Sequence, residues 1–406
     1  MVYVLGGWQS DFARNWAREG LEIADAFAEV LNHGLEAAQL DPSEIQTGHV
    51  GNFVGELFCG QGQLGGFFAQ TDRGFDGMPT SRHEGACASG SLAILAAMAE
   101  IQAGHYDVAC VLGLEMMRNV PGQKATEFLG SAAWAGHEFT DATYLWPRAF
   151  SEIGQAYDER FGLKYEHLGR IAEINYANGR RNPNAQTRKW DFTPASFTAD
   201  DEANPVIEGL TRRQDCGQVS DGSSVVFLAS EAGAAAYAAK RGLKLSDIPR
   251  IKGWGHTGAA ISLKSKLDAS ADGGFVFPHV KKAGEDARRR AGIADVWGID
   301  VVETHDCFTT TEYMAIEHLG LTGAGEAWKA IEDGTIDFDG KLPFNPSGGL
   351  IGLGHPVGAT GVRMVLDAAK QVTGKAGDYQ VENTKNVQTL NIGGSTTTAV
   401  SFVVGQ

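Results

Sequence analysis

Two stretches from opposite ends of the chain carry one local pattern: "ACASGSLAILAAM", beginning at Ala86, and "VGATGVRMVLDAA", beginning at Val357. Each runs from a small-residue turn through Ala-Ser/Thr-Gly into an aliphatic segment with helical character, and each is followed by an apolar run of strand character. A single match of this kind is weak. The same order of loop, helix and strand in both halves predicts a duplicated unit, whose equivalent loops would meet at one shared site.

The rest of the chain reads as strands alternating with helices. "VYVLG" near the start is a short β-branched run, and "LEIADAFAEVLNHGLEAA" places Ile23, Phe27, Val30, Leu31 and Leu35 at helical spacing. "YDVACVLGLEMM", "GIDVVET", "NVQTLNIGG" and "TAVSFVVG" read as buried strands. This alternation predicts an α/β fold with helices packed on sheets. Residues 118–213 differ: they are richer in aromatics, Asn, Arg and Asp, with amphipathic pieces such as "FSEIGQAYDERFG" and few strand-like runs. The expected organisation is therefore a first half made of 1–117 and 214–247, an inserted mostly helical region at 118–213, and a second half at 248–406.

The chain has 406 residues, 43% of them hydrophobic, enough for a core of two similar units. Its apolar stretches are broken by charge or glycine well short of a membrane span, and "MVYVLGGWQSDF" lacks the basic and apolar regions of a leader, so a cytoplasmic setting and no membrane association are expected. A net charge of -16 disfavours nucleic acid as a partner. An anionic ligand would need a local basic patch, for which Arg180, Arg181, Arg188 and Lys189 are the candidates. Five cysteines, odd in number and without CxxC spacing, argue for free thiols over disulfides or a structural zinc site.

Four segments carry candidate chemistry. Cys87 sits among small residues just before a helix, where free N–H groups would stabilise a thiolate; a small packing residue is the alternative. "NPSGGLIGLGHPVGATG" surrounds His355 with glycine, leaving it room to face a ligand as base or donor, or else marks a glycine-rich turn with an incidental histidine. "ETHDCFTTTEY" puts His305, Asp306 and Cys307 after a buried strand, where α/β folds place ligands. Zinc binding by His305, Cys307 and His355 fits no common spacing, and no metal is expected. In "LNIGGSTT", the N–H groups after Asn391, at Gly393 and Gly394, are available to an oxyanion.

Taken together, "GACASGS", "SDGSS", "GGLIGLGHPVGATG" and the terminal strand pair resemble the thiolase family over nearly the whole chain. His305-Asp306-Cys307-Phe308 replaces the usual Asn-Glu-Ala-Phe block, and Asn391-Ile392-Gly393 stands where a second cysteine is usual. Both changes resemble the sterol carrier protein type thiolases and related acetyl-CoA acetyltransferases. The resemblance implies duplicated βαβαβαββ halves in a five-layer αβαβα arrangement with an inserted loop region. It also implies a Claisen condensation or thiolytic cleavage of 3-ketoacyl-CoA, with coenzyme A or acyl-CoA as substrate and no tightly bound cofactor.

By the same resemblance Cys87 is the nucleophile, His355 activates it, Cys307 moves the α-carbon proton, and His305 holds a thioester oxygen. The N–H groups of Cys87 and Gly393 form a second oxyanion hole, and the basic residues of the insertion, Arg180, Arg181, Arg188 and Lys189, face the CoA nucleotide. Cys59, Cys110 and Cys216 remain as packing residues. The expected assembly is a homodimer or tetramer. Two other readings stand beside this one: an acyltransferase to a non-CoA acceptor in a complex with a small zinc-ribbon-type partner, and a noncatalytic acyl-CoA binding protein. Trp134, Phe139, Tyr144, Trp146 and Phe150 are candidates to shape the acyl pocket.

Overall fold

Pairing order reveals the duplication directly. The computed structural model describes residues 1–406. Its strands are β1 (Val2–Gln9), β2 (Thr47–Gly51), β3 (Thr80–His83), β4 (Val108–Glu115), a small hairpin of β5 (Val206–Glu208) and β6 (Thr211–Arg212), then β7 (Gly222–Ala229), β8 (Arg250–Gly258), β9 (Val301–Thr304), β10 (Asn386–Gly393) and β11 (Thr398–Gly405). All but the hairpin join one nine-stranded sheet in the order β3-β2-β4-β7-β1-β8-β11-β10-β9. Counted outward from the middle, β1-β7-β4-β2-β3 repeats as β8-β11-β10-β9, with a single parallel bridge from Val302 to Phe344 in place of the fifth strand. The sense of pairing repeats as well: two antiparallel steps, then two parallel ones. Within the sheet, the halves are joined at β1 and β8, where Val2 pairs with Ile251 and Tyr3 with Arg250.

Side chains alternate between the two faces of each half-sheet, as a strand requires. From β7, Val226 and Leu228 point inward, while Val225, Phe227 and Ala229 meet Phe27, Val30 and Leu31 of the helix Ile23–Ala38. From β11, Val400, Phe402 and Val404 point inward, while Ala399 and Val403 meet Ala283 and Ala287 of the helix Pro278–Ala291. The helices Ser89–Gln102 and Val357–Val372 lie between the half-sheets, so the layers run helix, sheet, helix pair, sheet, helix. Ile94, Val362 and Val365 are fully buried in that central layer, and each contributes about 1.5–3 kcal/mol of apolar burial.

The two central helices touch at their N-terminal ends because glycine allows it. A Cβ at Gly90 would stand 2.7 Å from the Gly358 carbonyl, and one at Gly361 would stand 2.3 Å from the Ser91 nitrogen. The repeated Ala-Ser/Thr-Gly is thus the contact surface of a pseudo-twofold pair. The residues just ahead of each helix, Cys87 and His355, are brought together as a result.

Between β4 and β7 the chain forms the helices Gly122–Leu129, Leu145–Phe161 and Tyr165–Gly179 and the β5–β6 hairpin. Phe150, Ile153, Tyr157, Leu168 and Ile171 from two of these helices share a core with Tyr313 and Met314 of the helix Thr309–His318. The segment made with the first half therefore packs on the second and roofs the space between them. No helix is long and apolar enough to cross a membrane.

Candidate active site

A strained turn presents Cys87. Ala86 has φ +51°, the left-handed region, at a cost of roughly 1–2 kcal/mol for a residue with a Cβ. Three local bonds hold it: the Ala86 N–H donates to Glu84 Oε1 at 2.6 Å, the Gly85 N–H donates to Ser89 Oγ at 3.0 Å, and Ser89 Oγ donates to the Ala86 carbonyl at 2.6 Å. The helix that follows has no side-chain cap; backbone bonds close the turn instead, the Ala88 N–H donating to the Gly85 carbonyl at 3.0 Å and the Ser89 N–H to the Ala86 carbonyl.

His355 is held by backbone and side chain. Its N–H donates to Ser220 Oγ at 2.9 Å, which ties the glycine-rich loop to the stretch before β7. On the ring, Nδ1 lies 2.8 Å from Thr360 Oγ1, whose own hydroxyl donates to the Pro356 carbonyl at 3.0 Å. The hydroxyl must then accept, so His355 carries its proton on Nδ1 and a lone pair on Nε2. That Nε2 is buried and has no protein partner. Burial, aided by Arg363, pushes the imidazole down to about 3 and keeps it neutral.

His305 stands across from it, the two rings at 89° with centroids 5.1 Å apart. The Cys87 sulfur and one nitrogen from each histidine all lie within 4.8 Å of one another. His305 Nδ1 is 3.0 Å from Asn391 Nδ2, which also donates to the Cys87 carbonyl at 3.1 Å. Burial, with His355 and Arg363 adding to it, holds His305 well below the ordinary histidine range.

Cys307 is buried, its sulfur 4.0 Å from Thr311 Oγ1. Burial first and the nearby Cys87 second push its thiol well up. Asp306 is turned elsewhere: it accepts from the Leu350 and Ile351 N–H groups at 2.5 and 3.1 Å and from Asn175 Nδ2 at 2.9 Å, pinning the glycine-rich segment. Both sulfurs and His355 line one cavity of about 850 Å³, open mouth included, walled by Phe53, Met117, Leu129, Trp146, Phe150 and Phe308.

Several expectations need correction. The helix N-terminus was to stabilise a Cys87 thiolate, yet burial pushes the thiol up to about 12, outweighing the Gly394 N–H that bonds to it and pulls the other way. A helix end favours an anion by about 0.3–1 kcal/mol, whereas removing a charge from water costs several. Cys216, expected to pack in the core, lines the cavity beside Cys307. Tyr144, Trp146 and Phe150 line it too, but Trp134 is exposed and stacked on His137, and Phe139 borders a neighbouring cleft.

Gly394, with φ +59°, lines the cavity, whereas Gly393 lies against the nucleophile turn, where a Cβ would stand 2.1 Å from the Gly85 carbonyl. None of the basic candidates lines the cavity. Arg188 is paired with Asp11 at 2.7 Å, Arg181 lies over the Phe338 ring at 4.0 Å, Arg180 donates to the Trp190 carbonyl at 3.1 Å, and Lys189 is exposed.

The structure adds residues that the motifs did not single out. Thr360 and Ser220 orient His355. Glu115, at the end of β4, accepts from the Phe53, Val54 and Gly358 N–H groups at 2.9, 3.1 and 3.0 Å and so joins the nucleophile's half to the start of the helix Val357–Val372. Asp221 does the same for Trp16, Met117 and Arg118. A lone carboxylate closing an apolar strand run, as in "VLGLE", was the available signal.

Comparison with known proteins places this arrangement. Residues 2–232 match the family described as "Thiolase, N-terminal domain", and residues 262–406 match "Thiolase C-terminal domain-like". The acetyl-CoA acetyltransferase of Methanothermobacter thermautotrophicus is 30% identical over 99% of this chain and 98% of its own. Human sterol carrier protein 2 is 29% identical over 97% of this chain and 70% of its own. Among solved structures, the "Ltp2-ChsH2(DUF35) aldolase" superposes with a TM-score of 0.77 at 20% identity, over 100% of this chain and 97% of the other. The chain belongs to the thiolase family, in the branch that includes sterol carrier protein type thiolases.

Proposed function

We propose that this thiolase-family acyltransferase forms and breaks the carbon–carbon bond of 3-ketoacyl-CoA through an acyl-Cys87 intermediate. The observation that carries the reading is the unpartnered His355 Nε2 lone pair in the same apolar cavity as the Cys87 and Cys307 thiols. Because the thiol is pushed up and the imidazole down, no ion pair forms at rest. The proton moves to His355 Nε2 as the sulfur adds to the thioester carbon, and returns to the sulfur of the departing CoA.

In the cleavage direction the resting Cys307 thiol is the form required to protonate the enolate leaving group. In condensation Cys307 must first lose that proton before taking one from the α-carbon of acetyl-CoA. His305 serves the enolate oxygen, and the N–H groups at Cys87 and at the Gly393–Gly394 turn serve the tetrahedral oxyanion. The apolar walls suit an acyl chain longer than acetyl. Incubation with acetyl-CoA followed by intact mass measurement tests the reading: one acetyl group is expected, absent in Cys87→Ala. Unmodified wild-type protein that binds acyl-CoA reversibly would instead support a noncatalytic binder.

A second reading is that turnover requires a partner protein, as in the complex named for the aldolase neighbour. Exposed Tyr144, Val206 and Leu210 favour it: the Tyr144 N–H donates to Glu208 Oε1 at 3.2 Å, which sets the β5–β6 hairpin beside the cavity mouth. Full acetoacetyl-CoA cleavage by the purified chain alone would dismiss that requirement.

A further inference from the structure

We propose that Asn391 is a positioning residue that locks His305 in its Nε2–H form, so that the cluster around the Cys87 sulfur holds one imidazole acceptor, on His355, and one imidazole donor, on His305.

The Cys87 carbonyl oxygen can only accept, so the Asn391 atom 3.1 Å away must be the amide nitrogen. Its second hydrogen then faces His305 Nδ1 at 3.0 Å, which makes that ring nitrogen an acceptor and leaves the proton on Nε2. The remaining atom, Oδ1, accepts from the Ser91 hydroxyl at 2.8 Å. Turning the amide over would set its oxygen against the Cys87 carbonyl, and Asn391 is only 1% exposed, so water cannot compensate.

The result differs from His355 by design of the surroundings. Thr360 accepts from Nδ1 of one ring, whereas Asn391 donates to Nδ1 of the other. A substrate oxygen needs the donor, and a thiol proton needs the acceptor. If His305 took the opposite form, its Nε2 lone pair would repel that oxygen. It would also leave a bare imidazole nitrogen beside the Cys87 sulfur and His355, three residues whose ligand atoms lie within 4.8 Å of one another, a set that a soft divalent metal accepts. By this account the asparagine both arms the donor and keeps the nucleophile from metal capture.

The proposal rests on the functional reading only for its catalytic consequence; the proton position is measured independently. Long-range proton–nitrogen correlation spectra of the full chain, with His305 assigned by its absence in His305→Gln, should show Nε2 protonated and Nδ1 bare. Protonation at Nδ1 overturns the proposal, whether or not Cys87 is acetylated by acetyl-CoA. In Asn391→Asp the carboxylate accepts from Nδ1–H, so the pattern should reverse, and Co²⁺ added alone should bind at least about tenfold tighter than to wild type, with a thiolate charge-transfer band lost in the Cys87→Ala double variant. An unchanged His305 pattern in folded Asn391→Asp also overturns it. If that variant does not fold, the wild-type spectrum decides.

Discussion

The two turn–helix units of the duplication share a frame and differ in what surrounds them. In the first, the helix Ser89–Gln102 buries one side in the central layer and leaves the other partly open, where Glu100 accepts from His49 and Thr47. In the second, every residue of Val357–Val372 except Lys370 is buried, and an ion cluster lies within: Arg363 contacts Glu303 at 2.9 Å and Asp367 at 3.3 Å. Cys87 and Gly358 occupy equivalent places in the repeat. One unit thus presents a sulfur on a strained turn, and its copy is committed to holding a histidine and a buried charge network. Duplication preserved where the helix ends meet and left the rest free to diverge.

Removing the reactive member of the first unit is the harshest way to break that comparison. Cys87→Ala should abolish acetyl-enzyme and lower turnover by on the order of 10⁴-fold or more, with no matching loss of stability. Cys307→Ala separates the two thiols: acetylation from acetyl-CoA should persist while 3-ketoacyl-CoA exchange falls. Equal loss of both steps in the folded Cys307 variant would contradict the division.

The second unit should fail differently. Arg363→Met leaves Glu303 buried without its cation and Asp367 with only the half-buried Lys370 at 3.3 Å, and denaturant titration should show a loss of about 3–5 kcal/mol. The first unit holds no equivalent pair, so Ile94→Ala there should cost only the cavity and transfer terms, about 2–5 kcal/mol. A charge-removing triple change, Arg363→Met with Glu303→Gln and Asp367→Asn, should recover much of the Arg363→Met loss. No recovery would mean that the cluster works through shape alone.

A third test sharpens the electrostatics of the shared end. With the Cys87 thiol pushed up to about 12, its deprotonated fraction, and with it the rate of alkylation by iodoacetamide, should rise about tenfold per pH unit from neutrality upward. A flat rate between pH 6 and 8 would restore the helix-stabilised thiolate that the motif alone suggested.

How much of this was legible depended on which physical signal each element carried. Repeat, strand runs and the reactive residues were readable because apolar periodicity and chemically distinctive side chains are local. β8 was not: "RIKGWGHTG" alternates charge with glycine, and its strand character comes from the helix Pro278–Ala291 lying against it, where a Cβ at Gly255 would stand 1.9 Å from the Ala283 carbonyl. Nor could the motif around Cys87 report how far the insertion and the second half would dehydrate it, which reversed the expected thiol behaviour. Asn391 showed as a turn residue, since its partners come from two distant segments, Cys87 and Ser91 from the nucleophile turn and His305 from the loop after β9.

The smallest expected effect concerns the third thiol of the cavity. Cys216 pairs with Phe308 in an isolated antiparallel backbone bridge, and the Gly217 N–H donates to the Cys307 carbonyl at 2.8 Å, so Cys216 and Cys307 lie on adjoining segments. Their surroundings separate them. The Cys216 S–H is directed to the Arg212 carbonyl at 3.3 Å, and burial beside Asp215 pushes the thiol well up. Cys307 instead faces the Thr311 hydroxyl and the Cys87 sulfur. A thiol with its proton committed to a carbonyl walls the cavity and moves no proton. Cys216→Ala should therefore lower acetoacetyl-CoA cleavage by less than about threefold and cost about 1 kcal/mol of stability. A loss as deep as that of Cys307→Ala would transfer the α-carbon proton to Cys216 and make the thiol pair, not Cys307 alone, the acid–base element.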